Sequence, residues 1–284
     1  MALLRVELMV VAAVARCGRG TPEGEEGSVM NATGIGTVPA NRDKWLLRLG
    51  TASGALGILL ELAMGMLHAG HTDPNDSATV FLEYAVSDIW TAVHIGQFFG
   101  AALIGLSLLT LAYVLAQQDG VARAFASVGA LAAITVIAVF AVQMAVDGVA
   151  LKATIDGWVT APAADKPAAF YVADGVRWIE KGLSGFFNIL NGVTLLALGM
   201  SLLTGAMGWR VLGALGVIAG LAFVTGGYSA AHTGFSAEAG AFLGPGALLS
   251  VAFLLGVGAY LWSRSKAARH EPRDGRLAVA STVK

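Results

Sequence analysis

Charged residues are scarce in this chain: 13% of its 284 residues are Asp, Glu, Lys or Arg, whereas 56% are hydrophobic. Soluble globular domains carry about 25% charged residues. The deficit argues against a soluble domain and indicates a protein that crosses a membrane several times. The net charge is only −1, and no basic face with interleaved aromatic residues is present, so we expect no nucleic-acid partner.

Cysteine is almost absent as well, because Cys17 is the single one in the chain. One thiol outside the predicted helices excludes an internal disulfide, a zinc–thiolate site and cysteine catalysis. The sequence also has no HExxH motif, phosphate-binding loop, nucleophile elbow or nucleotide fingerprint. No motif therefore identifies a reaction.

Long apolar runs are abundant instead, and each is long enough to cross a hydrocarbon core of about 30 Å. The 37 glycines support a packed bundle, because small residues allow transmembrane helices to approach closely. The sequence predicts an all-α, polytopic membrane helix bundle with both termini cytoplasmic. Its six transmembrane helices are predicted at 45–68, 89–116, 124–150, 176–204, 209–232 and 240–263.

The predicted transmembrane domain covers residues 44–264. Residues 1–43 are expected to be disordered or a mis-annotated N-terminal extension, because Glu7 interrupts their apolar run and no signal-peptide cleavage site follows. Residues 265–284 are charged and are expected to form a disordered cytoplasmic tail. Two amphipathic segments, 77–87 and 165–178, are predicted to lie over one end of the bundle.

Basic residues in the loops predict the orientation, since Lys and Arg are enriched on the cytoplasmic side. They precede the first span, occupy the second-to-third and fourth-to-fifth turns, and fill the C-terminal tail. The opposite connections are richer in Asp and Glu. We therefore expect both termini in the cytoplasm of a bacterium, and the chain as a multi-pass protein of its inner membrane.

Polar residues recur at helical spacing on five of the six spans, at the level of the outer half of the membrane. Polar side chains in a bilayer are costly and usually face the bundle interior. The pattern predicts a polar cavity open to the outer side, although each residue alone is also explained by hydrogen bonding between helices. The predicted ligand-binding residues are Trp90, His94, Gln97, Gln143, Lys181, Ser184, Asn188, Asn191 and Tyr228.

Two carboxylates stand out within the apolar runs, Glu61 in GILLELAMG and Asp147 in QMAVDGVA. A carboxyl group in a span needs a partner or water. They are candidate catalytic residues for acid–base chemistry on a lipophilic substrate, such as an isoprenoid or a lipid.

Histidines supply candidate ligands for a cofactor, either a divalent metal or haem. The candidate metal ligands are His68, His94 and His232, with His71, Glu61 or Asp147 as further donors. Against a metal, no HxxxH pair lies on one helix, and histidines at membrane boundaries are often only interfacial.

The long segment before the second span and the run GWRVLGALGVIAGLAF at 208–223 resemble uncharacterised six-span bacterial membrane proteins grouped as a domain of unknown function. The resemblance covers roughly residues 44–264. It implies six helices, and it implies neither an activity nor a catalytic residue.

Three functions are compatible with these patterns. The first is binding or movement of a small or lipophilic molecule; six spans are few for a carrier, so we expect a homodimer in that case. The second is a membrane-embedded enzyme that uses Glu61 and Asp147 or a histidine-bound metal. The third is a structural membrane subunit in contact only with lipid and neighbouring proteins.

Overall fold

A computed structural model describes residues 40–68, 70, 72–205 and 208–267. Within these ranges all regular secondary structure is helical. The helices are α1 (Ala40–Leu67), α2 (Ser77–Ala85), α3 (Trp90–Leu115), α4 (Gly120–Ala145), a π-helical segment (Val146–Leu151), α5 (Lys152–Thr160), α6 (Lys166–Thr204), α7 (Arg210–Thr233) and α8 (Ala237–Ala267).

The predicted all-α class and the six spans are confirmed. In the described part of the chain, six helices are long and apolar enough to cross a membrane. They are Lys44–Leu67, Trp90–Leu115, Gly120–Thr160, Lys166–Thr204, Arg210–Thr233 and Ala237–Ala267. The predicted N-terminal extension and C-terminal tail lie almost entirely outside the described residues, although residues 40–43 belong to α1 and residues 265–267 to α8.

The six spans pack side by side in chain order, and the last one closes on the first. α1 packs against α3, α3 against α4, α4 against α6, α6 against α7, α7 against α8, and α8 against α1. The largest buried side chains between them include Leu111, Leu198, Phe253 and Tyr260. Each span therefore has an inner face toward the other spans and an outer face available to lipid.

Glycines face each other where α6 packs against α7. A Cβ atom added at Gly192 would lie 2.6 Å from the carbonyl oxygen of Gly220, and one added at Gly220 would lie 2.6 Å from that of Gly192. Both obstacles are backbone atoms, which cannot rotate away. Only glycine at these positions permits this separation of the two helices, as in other membrane bundles.

Two helices extend far beyond the predicted spans. The continuous helix Gly120–Thr160 has 41 residues and α6 has 39, so at 1.5 Å per residue each is about 60 Å long. About half of that length exceeds the hydrocarbon core. The segment predicted at 165–178 is not a separate element. It is part of a single helix that begins at Lys166 and continues into the span.

The extensions form a second hydrophobic core, which we call the distal layer: α2, α5 and residues 166–181 of α6. Its buried side chains are Val80, Phe81, Tyr84, Ile155 and Ala173, and they pack with Trp90 of α3 and Leu151 of the π-helical segment. The Ser77 hydroxyl donates to the Asp174 carboxylate at 2.6 Å, which joins α2 to α6. Asn75 bonds to Thr233 and Phe235 in the α7–α8 turn. The distal layer thus covers the end of the bundle where α1 ends and α3 begins.

We expect Gly192→Ala to destabilise the bundle by about 1–3 kcal/mol, because the new methyl group has no space and the backbone must move. Gly182→Ala on the same helix is the control, since a Cβ atom there meets nothing within 4 Å. Thermal unfolding in detergent measures both. Equal midpoints for the two variants would contradict the close contact.

We expect reporter fusions to place the α3–α4 turn at 116–119 and the end of α8 on the cytoplasmic side, as the basic residues predict. Fusions within 72–76 and 161–165 should report the opposite side. Alkaline phosphatase, active only outside the cytoplasm, and green fluorescent protein, fluorescent only inside it, give complementary readouts. Active phosphatase after residue 267 would contradict the predicted orientation.

Candidate functional site

The π-helical segment is the local feature that positions Asp147. A π-helix adds one residue to a turn and shifts the backbone carbonyl groups out of the α-helical pattern. Two of these carbonyl oxygens accept hydrogen bonds from α3: Trp90 Nε1 donates to the Asp147 carbonyl at 2.9 Å, and Thr91 Oγ1 donates to the Gly148 carbonyl at 2.7 Å. Side chains of α3 thus support an irregular backbone that lipid could not.

Gly148 allows α3 to approach this segment closely. A Cβ atom at Gly148 would lie 2.5 Å from the Cβ atom of His94. With hydrogen in its place, the His94 ring reaches the side chain of Asp147. Both side chains are buried, with 1% and 5% of their residue surfaces exposed.

The hydrogen bond at one ring nitrogen of His94 determines what the other nitrogen can do. Nδ1 lies 2.7 Å from the Trp90 carbonyl oxygen, which can only accept, so Nδ1 carries a proton. Nε2 lies 2.9 Å from Asp147 Oδ2. Among the described residues, however, Nε2 has no aligned hydrogen-bond partner, and neither does Asp147 Oδ1. The two groups face each other without a well-directed hydrogen bond between them.

His68, at the end of α1, completes a group of three possible metal ligands with His94 and Asp147. One donor atom from each lies within 4.8 Å of the other two. The His68 ring centroid is 5.1 Å from that of His94 and 4.9 Å from that of Trp90. Of the described residues, these three are the ones grouped closely enough to share an ion.

A buried ion pair lies beside this group. Arg177 and Glu180, on adjacent turns of α6, pair with each other and are 2% and 3% exposed. Arg177 Nη2 also donates to the Tyr84 hydroxyl and to the Pro74 carbonyl, each at 3.2 Å. Burial raises the pKa of Tyr84 to about 12, so this phenol stays neutral at pH 7. The Glu180 carboxyl also lies near that of Asp147, so the ion pair adjoins the group of three possible ligands.

A separate cavity of about 420 Å³ lies among the spans, and all six contribute to its wall. The wall is mostly apolar, with Ile104, Phe140, Phe187 and Phe223 among its side chains. Its polar members are Glu61, Gln97, Asn191, Thr194 and Ser250. The volume falls in the range of about 300–1,000 Å³ that small-molecule sites occupy.

Glu61 is the ionisable residue of this wall. Its carboxyl group lies against Gly100 of α3, where a Cβ atom would be 2.7 Å from Glu61 Oε1. Oε1 is buried and, within the described ranges, has no hydrogen-bond partner. A buried polar atom without a partner is costly, so this oxygen is available to a bound molecule.

The sequence-predicted residues are divided between several places. Trp90, His94 and Asp147 come together at the distal end, whereas Glu61, Gln97 and Asn191 line the cavity. The two candidate catalytic carboxylates, Glu61 and Asp147, thus belong to different sites. The remaining buried ones are Gln143, Lys181, Ser184 and Asn188.

These remaining residues make local contacts. Asn188 Nδ2 donates to the Ser184 carbonyl at 2.8 Å, and Lys181 Nζ lies 4.5 Å from the centroid of the Trp178 ring. Tyr228 is 63% exposed and contacts the His232 ring, with 4.4 Å between their centroids. His232 is exposed and is not in the group formed by His68, His94 and Asp147. His71 lies outside the described residues.

The distal cluster consists of His68, His94 and Asp147 together with Tyr84, Arg177 and Glu180. The last three were missed as site residues from the sequence. A signal was present, because Arg177 and Glu180 are three apart in VRWIEK and so lie on one helix face. Opposite charges at this spacing indicate a pair on one helix face, but the spacing alone does not distinguish a buried pair from an exposed one such as Arg123 with Asp119.

No protein-family model, curated protein or solved structure matches this chain. The resemblance to six-span bacterial membrane proteins therefore stays a prediction. The chemistry of both sites follows from their own residues.

We expect Arg177→Met to destabilise the protein by about 3–5 kcal/mol, because the Glu180 charge is left buried without its partner. Adding Glu180→Gln should recover part of this loss. Arg123→Met is the control, since its pair with Asp119 is exposed on the surface and such pairs contribute little. Chemical denaturation of the four proteins tests this; equal losses in the single and double variants would contradict the buried pair.

Proposed function

We propose that this chain is an integral membrane protein that binds a small lipophilic molecule in the cavity between its six spans. The ligand has an apolar body and one hydroxyl or similar hydrogen-bonding group, which Glu61 binds. The observation that carries the proposal is the unpartnered Glu61 Oε1 at the wall of an otherwise mostly apolar cavity. The proposed location is the inner membrane of a bacterium, with both termini in the cytoplasm.

The composition of the wall supports this class of ligand. Aromatic and branched side chains from α3, α4, α6 and α7 provide apolar surface, and a few polar groups give orientation, as is typical of small-molecule sites. Gln97 and Asn191 add two amide groups to Glu61. A strongly charged solute would find no cationic side chain in this wall.

Glu61 and Asp147 were candidates to act together as acid and base, but their positions favour ligand binding over such catalysis. A catalytic acid and base must both be within hydrogen-bond reach of the same reacting group. Glu61 lines the cavity, whereas Asp147 is buried beside His94 in the distal cluster. The cavity is therefore proposed as a site of recognition.

Farnesol, an isoprenoid alcohol, tests the proposal, with the hydrocarbon farnesene as its matched compound without a hydroxyl group. We expect wild-type protein in lipid nanodiscs to bind farnesol more tightly than farnesene. Glu61→Leu should weaken farnesol binding about 3- to 10-fold, the value of one hydrogen bond, and leave farnesene binding unchanged. Radiolabelled ligands, corrected for partition into empty nanodiscs, give both affinities.

A substitution that fills the cavity provides a second test of the proposal. Ala133 is buried and lines the cavity, so Ala133→Phe should abolish binding of both compounds. Ala138 lies on the exposed face of the same helix, and Ala138→Phe should bind like wild type. Equal farnesol binding by the Ala133 and Ala138 variants would overturn the proposal.

A further inference from the structure

We propose that His68, His94 and Asp147 bind a divalent first-row transition-metal ion, of which Zn²⁺ is the best match. The inference goes beyond ligand binding in the cavity, because none of the three residues lines that cavity. It stands on three observations: the convergence of the donor atoms, the orientation of the His94 ring, and the support that neighbouring groups give to each ligand.

The donor set has the composition of an open metal site. Two imidazole nitrogens and one carboxylate oxygen, with a fourth position left for water, are typical of catalytic zinc sites. With metal–ligand distances of about 2.0–2.2 Å, ligand atoms in a tetrahedral site are about 3.3 Å apart. The three donors already lie within 4.8 Å of one another.

The His94 ring is held as a metal ligand would be. Its Nδ1–H donates to the Trp90 carbonyl, and a hydrogen bond of this kind from the second nitrogen is the usual partner of a metal-bound histidine. Nε2 then faces the Asp147 carboxylate at 2.9 Å without an aligned hydrogen bond. Two ligands of one ion point at the ion and not at each other. The poor alignment between His94 Nε2 and the Asp147 carboxylate fits that arrangement.

Asp147 is also fixed in place. Its backbone carbonyl accepts from Trp90 Nε1, and Gly148 provides the space in which His94 approaches it. Its Oδ1 is buried and has no hydrogen-bond partner in the described structure. A 5%-exposed carboxylate that has an unpartnered oxygen and is grouped with two histidine donors within 4.8 Å provides a site for a cation.

The ligand types select the ion. Mg²⁺ and Ca²⁺ prefer oxygen ligands almost exclusively, whereas imidazole binds zinc, copper, iron and nickel. The competing explanation is a purely structural pair between a protonated His94 and Asp147. That pair needs only two of the three residues, so His68 distinguishes it from a metal site.

Zinc binding to the full chain tests the inference. Protein in nanodiscs is stripped with a chelator and titrated with Zn²⁺ against a zinc indicator, and elemental analysis after dialysis gives the stoichiometry. We expect one zinc per chain for wild type. His68→Ala and Asp147→Asn should each bind at least 100-fold more weakly, more than the roughly 10- to 100-fold lost with an outer-shell partner.

His232→Ala is the matched control, because His232 is a histidine near the same end of the bundle but outside the group. It should bind zinc like wild type. Farnesol binding and thermal unfolding are measured on each variant, so loss of folding and failure of the cavity proposal are separated from loss of zinc. If Asp147→Asn does not fold, zinc binding by His68→Ala alone tests the proposal, because His68 is only half-buried. No zinc on folded wild type, or equal affinity in His68→Ala, would overturn the proposal.

Discussion

The requirement that polar backbone groups near a bilayer be satisfied within the protein governs the distal end of this bundle. A π-helical segment next to a bilayer is tolerated only where neighbouring groups donate hydrogen bonds to the carbonyl groups that it shifts out of the α-helical pattern. Here Trp90 and Thr91, at the start of α3, bond to the carbonyl groups of Asp147 and Gly148. The same contacts bring Asp147 to His94. The contacts that satisfy these backbone carbonyl groups are therefore the same ones that assemble the polar cluster. Both depend on the close approach of α3 to Gly148.

The two candidate sites differ in how they treat charge. At the distal end, charges are buried in opposite pairs, of which Arg177 with Glu180 is the clearest. Such pairs are costly to desolvate and are seldom a source of net stability; they specify geometry. In the cavity no cationic side chain lines the wall, and Glu61 lies there with an unpartnered oxygen. An incomplete set of partners is the physical mark of a place where something else binds.

The sequence predicted what depends on regular periodicity and hydrophobicity, and missed what depends on packing. Six spans followed from run length alone, and the ends of the first, second, fifth and sixth were within four residues of those observed. The length of the third helix was underestimated because Lys152 and Asp156 end the apolar run, although Leu151 and Ile155 continue the buried face. Apart from Gly148, no residue in the sequence indicates the π-helical segment. The sequence could not predict which polar residues contact each other. Helical spacing shows which residues share a face of one helix, but it does not show which other helix that face packs against.

One consequence concerns α6, which belongs to both sites. It carries Glu180 in the distal layer and Asn191 in the cavity wall, about 16 Å apart along the helix axis. Its proline, Pro167, lies at the first turn, and no π-helical segment interrupts it, so two of the usual causes of a kink are absent from its interior. A continuous helix transmits rotation about its axis along its whole length. A rotation of the α6 segment in the distal layer would therefore also move Asn191 in the cavity wall.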